Sequence, residues 1–73
     1  MTSLRPYDRV SILTDKFRSE GVEAGAIGYI IESHKDGVFE VEVSDPTTGE
    51  TIALLVATDQ ELVAAVKPPG ATD

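Results

Sequence analysis

The chain has 73 residues, no cysteine, thirteen acidic side chains and six basic ones, for a net charge of −7. That length supports one domain with a modest core, and the missing thiols exclude disulfides and thiolate metal sites as sources of stability. The acidic balance argues against nucleic acid and anionic membrane surfaces, both gripped through Lys and Arg, and favours a basic protein partner or simple solubility.

Residues 1–6 read as an N-terminal extension without an apolar leader core. No stretch reaches the ~20 apolar residues of a membrane span, so a soluble cytoplasmic protein is expected. The domain is expected over residues 7–67. A first strand fits Tyr7 to Leu13, with Val10 and Ile12 inward and Pro6 before it, where its missing N–H does no harm. Thr14 to Gly25 is polar and lacks helical periodicity, which predicts a long loop with Phe17 and Val22 tucked beneath it.

Ala26 to Ser33 reads as a second strand with Ile27, Tyr29 and Ile31 inward, and Gly28 marks a bulge or a close backbone approach. Asp36-Gly37 tolerates the positive φ values of a tight hairpin before a third strand, Val38 to Ser44. There Phe39, Val41 and Val43 alternate with Glu40 and Glu42, a period of two with one face buried. Asp45-Pro46-Thr47-Thr48-Gly49 predicts a longer hairpin loop, and Glu50 to Ala57 a fourth strand with Ile52, Leu54 and Val56 inward.

Thr58 and Glu61 have the spacing of a capping box. One helical turn followed by a short fifth strand, Leu62 to Val66, is the preferred reading; a single short helix over Thr58 to Val66 competes with it. Residues 68–73 read as a disordered tail. This order predicts an all-β fold, a small SH3-like, partly open barrel of about five antiparallel strands with one helical turn near the C-terminus. Partial closure would spare a small sheet two unpaired edges.

Tyr-Asp-Arg-Val at 7–10, Glu-Gly-Val at 20–22, Gly-Ala-Ile-Gly at 25–28, Phe-Glu-Val-Glu at 39–42 and Thr-Ile-Ala-Leu-Leu at 51–55 carry a resemblance. Over residues 7–66 the chain resembles a bacterial family of small uncharacterised SH3-like domains, some encoded beside toxin-like partners. The resemblance implies an antitoxin or immunity role and brings no catalytic residue with it. The Gly-x-Ile-Gly stretch is also similar to translation-associated and nitrile-hydratase-associated SH3-like modules.

For catalysis the residues offer no constellation. His34 beside Asp36 reads as a solvated turn pair, the serines sit in no nucleophile elbow, and no zinc or calcium-loop spacing occurs. The expectation is a non-enzymatic protein-binding module with no cofactor and no metal. Its partner-binding residues are expected to be Glu32, Glu40, Glu42 and Glu50, an acidic face for a basic protein, with Ile30 and Leu55 as apolar anchors because they break the alternation. Those two residues serve equally well in a second small core under the loop. Tyr7 and Phe17, near Arg9 and Arg18, offer a further anchor set, with Tyr7 better read as a core-edge aromatic. The alternative function is an accessory subunit that assembles, with itself or another chain, through a strand edge.

Overall fold

The computed structural model describes residues 4–65. Five antiparallel strands form one open sheet: β1 (Arg9–Ile12), β2 (Ile27–His34), β3 (Val38–Ser44), β4 (Thr51–Thr58) and β5 (Leu62–Ala64). Their spatial order is β4-β3-β2-β1-β5, a meander closed on one side by β5 pairing back onto β1. Only single 3-10 turns interrupt it, at Arg18–Glu20, Lys35–Gly37 and Asp59–Glu61. This is the all-β, five-stranded arrangement that the sequence pattern predicts.

Turn chemistry sets the connections. Between β2 and β3 both Asp36 (φ 64°) and Gly37 (φ 70°) are left-handed, and a Cβ on Gly37 would meet Asp59 Oδ2 at 2.7 Å. Between β3 and β4 the Asp45 carboxylate accepts the N–H groups of Thr47 (2.7 Å) and Thr48 (3.1 Å), the Asx geometry that lets a short polar side chain stand in for a backbone turn. After β4, Thr58 and Glu61 close the capping box, with the Thr58 N–H donating to Glu61 Oε1 at 2.8 Å. One 3-10 turn and a fifth strand follow, as preferred over the single helix; Val66 and the tail lie outside the described residues. At the other end Leu4, within the expected extension, packs on the core.

The long loop is tied to the end of β1. The Ile12 N–H donates to the Ala26 carbonyl (2.8 Å), and the Gly25 N–H donates to the Ile12 carbonyl (2.7 Å). Phe17 and Val22 drop from this loop into the same core as the strands, joining Val10, Ile12, Ile30, Phe39, Val41, Val43, Leu55, Ala57 and Leu62.

That core corrects the expected faces of two strands. Val10, Ile12, Phe39, Val41, Val43 and Leu62 are buried as their alternation requires. In β2 and β4 the faces are inverted: Tyr29, Ile31, Ile52, Leu54 and Val56 are open to water, Ile27 is half-buried, and Ile30 and Leu55 are 0% and 2% exposed. Pairing with β3 decides this, because Ile30 and Leu55 both sit opposite Val41 and Ala57 sits opposite Phe39. Moving β4 by one residue would send its small inner alanines out and swing Leu54 and Val56 into space already filled by Phe39 and Val43.

Gly28 is likewise an inward residue rather than a break in the outer row. A Cβ there would lie 2.8 Å from the Glu42 carbonyl oxygen and 2.8 Å from Val41 Cγ1, so only glycine lets β2 approach β3 this closely. A bulge between Ile30 and Glu32 then shifts the alternation by one residue. Tyr7 is also corrected: it is 83% exposed, with φ at 72°, and its N–H donates to the Ile30 carbonyl.

Candidate protein-binding face

The register assembles the outer face of the sheet from two cross-strand rows. One runs Arg9, Tyr29, Glu42, Leu54 across β1, β2, β3 and β4; the other runs Glu32, Glu40, Val56 across β2, β3 and β4. Both rows end at β4 in a large apolar side chain, and Leu54 and Val56 are each 63% exposed. The acids therefore lie inside the sheet, with an apolar border on the β4 side. Tyr29 and Ile31 add apolar surface among them, both open to water.

Glu32 and Glu40 are direct cross-strand neighbours. Like charges so placed destabilise a sheet by roughly 0.2–1 kcal/mol. His34 sits against them, with Nε2 at 2.6 Å from Glu40 Oε2 and 3.9 Å from Glu32 Oε2. Facing an ionised carboxylate, which only accepts, that nitrogen is placed to donate the hydrogen bond. Glu42 is held differently, accepting the Thr51 hydroxyl at 2.6 Å.

The structure thus brings together Glu32, Glu40 and Glu42 and adds His34, which the sequence pattern assigns to a turn pair with Asp36. The signal was the hairpin register: pairing His34 with Val38 sets Glu40 diagonally beside it. Glu50 stays outside the rows, in the loop before β4, where its carbonyl accepts the Asp45 N–H. Ile30 and Leu55 are removed from the anchor role by burial, and Leu54 and Val56 take their place at the surface.

Donor atoms of Glu32, His34 and Glu40 lie within 4.8 Å of one another, the one such group among the described residues close enough to hold a metal ion. All three side chains are substantially open to water and the short His34–Glu40 contact already engages two of them, so a hydrogen bond between side chains accounts for the cluster. A shallow apolar cavity of about 260 Å³ lies between the long loop and the start of β4, lined by Gly21, Gly25, Ala26, Ile27, Val43, Ser44, Pro46 and Ile52. It falls below the ~300 Å³ where small-molecule pockets begin, and its lining has no titratable side chain. Among the described residues one carboxylate is clearly perturbed. The Lys16 ammonium at 2.8 Å, with the Thr58 N–H, holds Glu61 below the ordinary glutamate value. That pair clamps the long loop to the turn after β4, away from the acidic rows.

A sheet left open along one long edge, with a polar-apolar outer face and no helix among the described residues long enough to cross a membrane, defines a small all-β domain. A family model described as a domain of unknown function (DUF4926) matches residues 7–64, and the chain belongs to that family. No curated protein and no solved structure matches it.

Proposed function

We propose that the domain is a non-enzymatic module that binds a more basic protein, with Glu32, Glu40 and Glu42 steering the encounter and Leu54, Val56, Tyr29 and Ile31 as the desolvated contact. The supporting observation is the placement of three carboxylates and four exposed apolar side chains on one sheet face. Such a face attracts cations at long range and has apolar area to bury once the partner arrives. Arg9, at the β1 end of its row, sets the cationic limit of the patch. An antitoxin or immunity protein that neutralises a basic bacterial effector fits this description, a finer reading that rests on the family resemblance.

The first partner to test is the protein encoded beside this one. In calorimetry at two salt concentrations, the double variant Glu40→Lys/Glu42→Lys is expected to bind it about tenfold or more weakly and with a flatter salt dependence. Unchanged affinity and unchanged salt slope would eliminate this reading. A second reading, an accessory subunit assembling through a strand edge, draws support from the unpaired side of β4. Sedimentation over a wide concentration range separates the two, since self-assembly through that edge gives a stable dimer.

A further inference from the structure

We propose that the partner engages as an extended segment that hydrogen-bonds along the β4 edge and carries arginine or lysine at alternate positions. This rests on the binding function above and adds the mode and the partner's chemistry to it.

β4 ends the strand order, pairing with β3 from Thr51 to Thr58 on one side only. Among the described residues, no other backbone group bonds to positions 52–57. A strand edge presents a row of free N–H and C=O groups, and proteins ordinarily blunt it with lysine, proline, an inward charge or short length. The other end of the sheet uses length, since β5 has three residues. β4 has eight and uses none of these devices: Thr-Ile-Ala-Leu-Leu-Val-Ala-Thr contains no charge and no proline. Its irregularity is confined to the start, between the Val43 and Ser44 pairings.

The side chains state what an added strand must carry. It would lie one strand spacing, ~4.8 Å, beyond β4, and so ~10 Å from β3. Its outer side chains would first meet Leu54 and Val56, with Glu42 and Glu40 directly behind them in the same rows. A long apolar stem ending in a cation suits that sequence of surfaces, because Lys and Arg lay their methylenes on apolar groups and keep the charge at the far end. A shorter cation stops over the leucine and valine, and an acid is repelled. A second copy of this chain is the poorer occupant, since its own β4 offers no cation and it brings a further −7 of charge.

The experiment uses a capped eight-residue peptide with arginine at every second position and valine between, titrated into the full chain and followed by amide NMR and calorimetry. Two further peptides carry N-methyl groups, one on the arginine residues and one on the valines. Strand addition predicts slowed exchange of β4 amides, loss of binding for one N-methylated register and retention for the other, and about tenfold weakening by Glu40→Lys/Glu42→Lys. Equal binding of both N-methylated peptides would overturn strand addition while leaving charge-guided binding intact. Equal binding of a peptide with glutamine for arginine would overturn the cationic chemistry. An absence of binding, or a dimer of the chain that already protects β4, would overturn the proposal outright; charge reversal against the natural partner would still decide the broader function.

Discussion

β3 alternates Phe39, Val41 and Val43 with Glu40 and Glu42, whereas β4 beside it runs from Ile52 to Ala57 without a polar residue. The first strand can be buried on one face only, because turning it over would desolvate two carboxylates. The second gains apolar burial either way, so its own composition does not choose. β3 therefore acts as the template, and β4 takes the orientation that sets Ala53, Leu55 and Ala57 against it. The consequence is functional as well as structural. The side of β4 that the template does not use is left in water, and it supplies the apolar border of the acidic face.

Adjacent leucines give the sharpest break of this comparison. Leu55→Ala should cost about 2–5 kcal/mol in denaturant unfolding by opening a cavity against Val41, while Leu54→Ala should stay within ~0.5 kcal/mol. A larger loss at Leu54 would mean that β4 presents its other face. Next in size, Gly28→Ala should cost about 1–3 kcal/mol, since its Cβ would press on the Glu42 carbonyl and Val41. Wild-type stability for that variant would show that β2 is not held so tightly to the template.

A smaller loss than at Leu55 or Gly28 is expected in the turn after β4. Glu61→Gln weakens the capping box and removes the charge facing Lys16, for a loss of roughly 1 kcal/mol near neutral pH. Because the folded-state value of Glu61 is lowered, its contribution is complete above the unfolded-state value and disappears as pH falls through the folded one. The gap between wild type and Glu61→Gln should thus close in acid. A gap that holds constant with pH would remove the Lys16 pairing from the account.

The same contrast explains what could be read from the chain beforehand. Strand order, the Asp36-Gly37 and Asp45–Gly49 turns and the capping box were legible because each depends on residues with local conformational preferences. The faces of β2 and β4 were not, since Ile27–Ile31 and Ile52–Ala57 are almost wholly apolar and a period of two needs polar contrast to be seen. Glu40 and Glu42 were placed by the strict alternation of β3. Ile30 and Leu55 read as surface anchors only if the opposite face of each strand is assigned inward. The His34–Glu40 contact depends on cross-strand pairing, which no single strand records.

The extra residue in β2 ties folding to surface charge. Ahead of Ile31 the even-numbered positions Gly28 and Ile30 point inward; beyond it Glu32 and His34 point outward, and the added residue makes the difference. Pairing Ile31 regularly, opposite Glu40, would instead set Glu32 opposite the buried Phe39 and turn that glutamate toward the interior. Loss of the bulge by such a register slip would both deplete the anionic patch and ask the core to accept a carboxylate, so the composition of that surface and the integrity of the fold depend on one irregularity.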